Sequence, residues 1–275
     1  YDVDGASATA LLGNYFSSIG LPYEIYIPDR KKEGYGPSIN AFEVLMNRGV
    51  KIIFTVDCGT LSFEAIKYAS NKNVDVIVLD HHQSEIKLPN AHSIVNPNRI
   101  DDKSNLNYLC AAGVTFMFLI ALNKKLRSIN WFKNKDFDEP NLLDYLDLVA
   151  LGTICDVVPL VGLNRAIVYQ GLKVLKTKKN LGLKTLMDIC GIENRPNIYH
   201  IGYVLGPRIN AGGRVGKSSH GANLLLKETP KDVFKIAAEL DQFNKERQYL
   251  EMDVLEKINK KIKLNTSEPV IIISG

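Results

Sequence analysis

Asp80-His81-His82 follows directly on the apolar run Val76-Ile77-Val78-Leu79, so a buried strand delivers one carboxylate and two imidazoles to its C-terminal end. In an open parallel sheet that end is where ligands bind. The same arrangement occurs one unit earlier, where Ile52-Ile53-Phe54-Thr55-Val56 runs into Asp57-Cys58-Gly59. Asp2-Val3-Asp4-Gly5 adds two carboxylates on one side of an extended segment just ahead of a helix, and Gly152-Thr153-Ile154-Cys155-Asp156 adds another. Taken singly, these residues have structural readings: an Asp after a strand caps a helix, and Asp156 is a turn residue. Together, Asp2, Asp4, Asp57, Asp80, His81, His82 and Asp156 form a cluster that cannot share one pocket without cations, because like charges at short range repel. Carboxylate and imidazole donors without thiolate suit Mn²⁺ or Mg²⁺ better than structural Zn²⁺. Two such ions about 3.5–4 Å apart clamp a phosphodiester and supply a hydroxide nucleophile near neutral pH. A calcium loop fails at Asp2-Val3-Asp4, because the twelfth loop position falls on Leu11 or Gly13 where a bidentate Glu is required.

The elements that must position these groups alternate in the first half of the chain. The pattern predicts a helix over Ala6 to Ile19, a strand over Tyr23 to Ile27 and a helix near Ile39 to Asn47. The Ile52 strand, a helix from Leu61 to Ser70, a strand from Val74 to Leu79 and a short strand at Ser93 to Asn96 follow. Such alternation implies βαβ units and a parallel sheet with helices on both faces. From Cys110 onward the pattern turns helical, with helices expected over Ala111 to Lys124, Asn141 to Leu151, Asn164 to Lys176 and Leu183 to Cys190. A loop rich in Gly and Arg is expected at Gly206 to Gly216. Pro230 then opens one long helix over Lys231 to Lys263, read as a solvated, charge-laced connector. The fold class is α/β: a parallel sheet flanked by helices, with a helical extension and a long connector helix.

At 275 residues, 45% hydrophobic and 23% charged, the chain has the composition of a soluble globular protein large enough for two units. Its net charge of +4 is weak support for a polyanionic partner. No apolar run is long enough for a membrane span, which needs roughly 18 residues or more. Cys58, Cys110, Cys155 and Cys190 contain no Cys-x-x-Cys pair, so they read as reduced packing residues of a cytoplasmic protein. No Gly-x-Gly-x-x-Gly follows a strand, which excludes a dinucleotide-binding module.

The motifs in this order resemble the DHH phosphoesterase superfamily, specifically the RecJ-type single-stranded-DNA exonucleases. Tyr1-Asp2-Val3-Asp4-Gly5 resembles the first family motif, without the Asp that usually precedes the Tyr. Val56-Asp57-Cys58-Gly59 is similar to the second and Asp80-His81-His82 to the third. Leu151-Gly152-Thr153-Ile154-Cys155-Asp156-Val157-Val158-Pro159-Leu160 is similar to the fourth, and Gly206-Pro207-Arg208-Ile209-Asn210-Ala211-Gly212-Gly213-Arg214 to a segment typical of the RecJ branch. The resemblance implies two Mn²⁺ or Mg²⁺ ions, with Asp2 on one, Asp4, His81 and Asp156 on the other, and Asp57 bridging. Asp80 would orient the histidines from behind, and His82 would contact the scissile phosphate or polarise the leaving group. Arg30 and Arg214 match places that hold a terminal 5′-phosphate, and Arg208 either joins them or braces its loop. Lys173, Lys176, Lys178, Lys179 and Lys184 read as a solvated face.

The implied activity is 5′→3′ hydrolysis of single-stranded DNA in recombination and repair, with a helicase or single-strand-binding protein as partner. The implied organisation is a catalytic domain over 1–228, split into an α/β core through about residue 110 and a helical part over 111–228. A connector over 229–265 and the first strand of a DHH-associated domain over 266–275 would follow, so the sequence reads as cut at both ends. Two rivals stand beside this reading: an oligoribonucleotide or cyclic-dinucleotide phosphodiesterase of the same superfamily, and a non-catalytic scaffold.

Overall fold

Asp2 opens the first helix instead of lying in an extended segment. In the computed structural model, helix α1 spans Val3–Ser18, and Asp2 Oδ1 accepts the Gly5 N–H at 3.0 Å as its N-cap. Asp4 therefore sits inside the first helical turn, ahead of the Ala6 start that the sequence suggests. Val3, Ala6, Ala8, Leu11, Leu12 and Tyr15 are all buried, the pattern of a helix enclosed on several sides. The structure describes residues 1–261 apart from Asn194, Gly216 and Lys227.

The expected strand over Tyr23 to Ile27 does not form; residues 22–28 carry no regular secondary structure. Their composition suits a strand, but a strand needs a neighbour, and no backbone hydrogen bond joins residues 22–28 to another described residue. The chain continues through α2 (Arg30–Glu33), α3 (Ile39–Asn47), β1 (Ile52–Val56), α4 (Phe63–Asn71), β2 (Asp75–Leu79) and β3 (Ser93–Val95). The three strands form a parallel sheet in the order β1-β2-β3, with Ile52 opposite Asp75 and Ile77 opposite Ser93. Side chains alternate across it as the pleat requires. Ile53, Val76 and Val78 pack against Phe42 and Leu45 of α3 and Ile66 and Ala69 of α4. Phe54, Ile77 and Leu79 face the opposite layer, with Leu12 and Phe16 of α1.

That opposite layer is completed by α5 (Ala111–Ser128), whose Phe116 and Leu119 join the same core. Then come α6 (Trp131–Lys135), a 3-10 turn at Leu142–Tyr145, α7 (Leu146–Cys155), α8 (Gly162–Lys176) and α9 (Leu181–Ile189). The Asn141 helix is thus a tight turn followed by α7, which runs on to Cys155 and leaves Asp156 at its C-cap. The Gly206 segment is helical, contrary to the loop expected from its composition. A π-helical stretch at His200–Leu205 leads into α10 (Gly206–Arg214), with Pro207 at the first turn where helices tolerate it. Tight packing overrides the poor helix propensity: a Cβ on Gly206 would lie 2.5 Å from Cys155 Sγ.

Helix α11 (His220–Leu226) and the long α12 (Pro230–Lys261) close the second core. Val233, Ala237 and Leu240 of α12 are fully buried, whereas Tyr249, Met252 and Leu255 are exposed. Only the second half of α12 thus has the solvated character expected for all of it. The strand expected over residues 266–275 lies outside the described residues. No described helix is long and apolar enough to cross a membrane.

Candidate metal centre

Parallel pairing sets Val56 beside Leu79, so Asp57 and Asp80 leave the sheet next to each other. Asp57 then adopts a left-handed backbone at φ 60°, a conformation Asp tolerates better than most L-residues. Gly59 completes the turn at φ 114°, where a Cβ would meet Thr55 Oγ1 at 2.4 Å. The turn aims the two Asp57 oxygens in different directions. Oδ1 lies 3.3 Å from His81 Nε2. Oδ2 faces Gly5, where a Cβ would lie 3.2 Å from it and 3.5 Å from Asp2 Oδ1.

His81 is the hub. Besides Asp57, its Nε2 lies 3.8 Å from Asp4 Oδ2, and its Nδ1 lies 3.7 Å from Asp156 Oδ2. Asp57, His81 and His82 form one group whose donor atoms lie within 4.8 Å of one another, and Asp4, His81 and Asp156 form a second. Asp2 stands outside both groups, with one oxygen spent on its helix cap. Not all the acids come from strand ends: β1 and β2 supply Asp57 and His81, α1 supplies Asp4, and the C-terminus of α7 supplies Asp156.

The donors fit a hard divalent cation. They are oxygens and imidazole nitrogens, and burial pushes the neighbouring Cys58 and Cys155 thiols up to about 12, which disfavours thiolate ligation. Burial is also the main force on the acids. It raises Asp57 to about 8, with the Asp4 and Asp2 charges adding to it against the His81 hydrogen bond. It raises Asp4 to about 6 and lifts Asp156 in the same direction. Burial pulls His81 down, but Asp57, Asp4 and Asp156 together carry it to about 9. This much carboxylate cannot all ionise in one hollow unless positive charge replaces the protons.

Asp80 behaves differently, as a supporting group. Its Oδ2 accepts the Thr60 N–H at 3.0 Å, and its Oδ1 accepts the His81 N–H at 2.8 Å and meets His82 Nδ1 at 2.7 Å. Burial opposes its ionisation, yet hydrogen bonds from His82 and Thr60 hold it well below the usual carboxylate range. A carboxylate fixed in this way orients the half-exposed His82 ring.

Several contributors were not singled out from the sequence. Tyr35 O–H lies 3.1 Å from His82 Nε2 and 3.1 Å from Asp57 O. Asn96 Nδ2 donates to His82 O at 2.9 Å and Asn98 Nδ2 to His81 O, so the amides after β3 brace the backbone of both histidines. The signal was the Asn96-Pro97-Asn98 run behind a third strand, which resembles an ordinary strand terminator. Asp4 has a second partner set. It accepts the Ala111 and Ala112 N–H groups at 2.6 and 2.9 Å, serving as the anion at the N-terminus of α5, where Cys110 provides no side-chain cap.

Beside these acids lies a cavity of about 360 Å³ whose walls include Arg30, Arg214, Asn210 and Tyr35 together with Asp2, Asp4 and Asp156. Arg30 lies with its guanidinium 5.3 Å from the Tyr1 ring centre. Arg208 is not part of that wall. Its Nε donates to Asp241 at 2.8 Å and its Nη1 to Val204 O at 2.8 Å, which ties α10 to α12. Of the lysines read as a solvated face, Lys178 pairs with Asp188 and Lys179 with Asp144.

Residues 1–153 match the DHH family, N-terminal domain. The chain belongs to this DHH family. Among curated relatives, it is 37% identical over 254 residues to the single-stranded-DNA-specific exonuclease RecJ of Salmonella typhimurium, covering 91% of this chain and 44% of that protein. It is 36% identical over 249 residues to the RecJ of Bacillus subtilis, covering 90% of this chain and 30% of that one. This DHH chain thus spans less than half the length of those relatives. Among solved structures, an exonuclease RecJ bound to manganese superposes with a TM-score of 0.81 at 32% identity, over 94% of this chain and 62% of that one. RecJ from Thermus thermophilus in complex with Mn²⁺ gives a TM-score of 0.77 at 30% identity, over 95% of this chain and 36% of that one.

Proposed function

We propose that this protein is the catalytic part of a metal-dependent 5′→3′ exonuclease that hydrolyses single-stranded DNA and releases mononucleotides. The observation that carries the proposal is the convergence of Asp4, Asp57 and Asp156 on His81 within one hollow. Asp4, His81 and Asp156 would hold one Mn²⁺ or Mg²⁺ and Asp2 another, and Asp57 would serve both. Such ions, when bound, neutralise the phosphate and make water a competent nucleophile near neutral pH.

The chain's own residues do the rest. Asp80 holds His82 Nδ1 and Tyr35 O–H meets Nε2, which would exchange that hydroxyl for a phosphate oxygen or leaving group when substrate enters. Arg30 and Arg214 would grip the terminal 5′-phosphate, since guanidinium forks match phosphate oxygens. Arg208 is better suited to bracing α10 than to touching substrate. An enzyme of this kind works in the cytoplasm in recombination and repair. A helicase or single-strand-binding protein would present its ends.

The test is hydrolysis of 5′-phosphorylated and unphosphorylated single strands, and of dinucleotides, in Mn²⁺, Mg²⁺ and chelator. Phosphorylated strands should be preferred, and chelator should abolish turnover. Arg214→Ala should raise KM for phosphorylated ends about tenfold, the equivalent of one lost charge-assisted hydrogen bond. Equal losses on both kinds of end would remove Arg214 from the phosphate grip, and a preference for dinucleotides would favour the rival phosphodiesterase reading.

A further inference from the structure

From Val157 to Met187 the chain carries Arg165, Lys173, Lys176, Lys178, Lys179 and Lys184 and no acidic residue. Two of these cations are neutralised from outside the segment, Lys178 by Asp188 and Lys179 by Asp144. Arg165, Lys173 and Lys176 make no ion pair with any described residue, and all three are exposed on the outer face of α8. Positions 165, 169, 173 and 176 recur at helical spacing, so they form one line roughly 16 Å long. Tyr169 stands within it at 62% exposure, and Lys173 Nζ lies 4.2 Å from its ring centre. That contact holds the ammonium at the surface. The opposite face fixes the line in place: Ile167, Val168 and Leu175 are buried, and a Cβ on Gly171 would meet Leu146 O at 2.3 Å.

Solvation of a helix surface explains only part of this. Lys173 and Lys176 lie in the last turn of α8, where cations suit the helix dipole. Arg165 lies near the other end, where the dipole disfavours a cation. Lys173 and Lys176, three residues apart, repel each other with no acid between them, so the line is unfavourable until anions neutralise it. A line of cations suits a polymer of anions better than a single anion. Helix α8 exposes no large aliphatic side chain on which an acidic peptide could seat. Lys, Arg and Tyr O–H, by contrast, are groups that contact nucleic-acid phosphates. The line also starts near the metal centre. Asn164 Nδ2 donates to Tyr108 O at 2.7 Å and to Pro159 O at 3.0 Å, which ties the start of α8 to the loop after Asp156. Gly171 lies against Leu146, at the far end of α7 from Asp156, so the line leads away from the centre.

We propose that the outer face of α8 is a phosphate track that holds single-stranded DNA outside the catalytic hollow. The choice of single-stranded DNA rests on the exonuclease reading, whereas the line of charge stands without it. Arg165, Lys173 and Lys176 contact successive phosphates, and Tyr169 keeps Lys173 in position between them.

The test is binding of a single strand of about 20 nucleotides, longer than ordinary single-strand sites, with a dye on its 5′ end. Anisotropy is read against salt concentration in chelator. The wild-type chain should bind with a steep log–log dependence on salt. Arg165→Gln, Lys173→Gln and Lys176→Gln together should lower that slope by about 2, the share of three phosphate contacts on a single strand, and weaken binding about tenfold or more at low salt. The circular dichroism of this variant should match the wild type, since the three side chains are exposed. Lys178→Gln with Lys179→Gln removes charges already paired and should leave the slope nearly as it was. No binding by the wild type, an unchanged slope in the triple variant, or an equal fall per charge in the Lys178 and Lys179 variant would overturn the track. Poly-glutamate that competes as well as the strand, charge for charge, would overturn the assignment to nucleic acid. Because the strand is held in chelator, an absence of Mn²⁺-dependent hydrolysis counts against the exonuclease reading alone.

Discussion

A Cβ on Gly152 would lie 2.5 Å from Asp4 Oδ1 and 2.7 Å from Ala112 Cβ. Helix α7 therefore approaches α1 and the start of α5 only because position 152 has no side chain. That approach is what carries Asp156 to His81, since α7 ends at Cys155. Two further residues hold left-handed backbones beside the site, Asp57 at φ 60° and the β-branched Val157 at φ 58°. Each costs on the order of 1–3 kcal/mol and persists only where the surroundings enforce it. Gly152→Ala should push the Asp4 carboxylate off the Ala111 and Ala112 N–H groups. The expected outcome is a loss of about 1–3 kcal/mol in denaturant unfolding, together with markedly weaker Mn²⁺ binding. Wild-type Mn²⁺ affinity in a folded Gly152→Ala protein would show that the Asp4 position is not critical.

At the scale of elements, α12 divides into a packed half and a solvated half. Leu240 is fully buried in the helical core, while Leu255 is 53% exposed. Leu240→Ala should cost about 2–5 kcal/mol, and Leu255→Ala should stay within about 0.5 kcal/mol. Equal midpoints in urea for the two variants would contradict that division. The same contrast between local and distant forces explains what the sequence reveals. The β1 and β2 ends are legible because an apolar run bounded by Asp and Gly is a local pattern. The segment at 22–28 has strand composition, yet pairing depends on a neighbour that composition does not supply. The Gly206 stretch reads as a loop on local propensity, whereas packing on Cys155 and the Arg208–Asp241 bond hold it helical. Asp4 was legible as an acid at a site but not as the anchor of α5, because that bond joins residues 107 apart in sequence.

Considered whole, the molecule gathers the groups that could hold a metal from elements far apart in sequence. Asp57 and His81 follow β1 and β2, Asp4 lies in the first turn of α1, and Asp156 caps the C-terminus of α7. A ligand held by all of them stabilises the entire folded chain by mass action. It must also displace protons, since Asp57 is raised to about 8 and His81 to about 9 when no cation is present. Near pH 7 those two groups are largely protonated, so binding releases protons, and affinity rises with pH through that range. The decisive measurement is calorimetric Mn²⁺ titration near pH 7 in buffers of different ionisation enthalpy, on the wild-type chain and on Asp57→Asn, whose amide keeps a side chain that tolerates left-handed backbone. Two ions per wild-type chain with net proton release, and sharply weakened binding in Asp57→Asn, are the predicted result. Binding without proton release, or undiminished in Asp57→Asn, would contradict a metal centre built on Asp57 and His81.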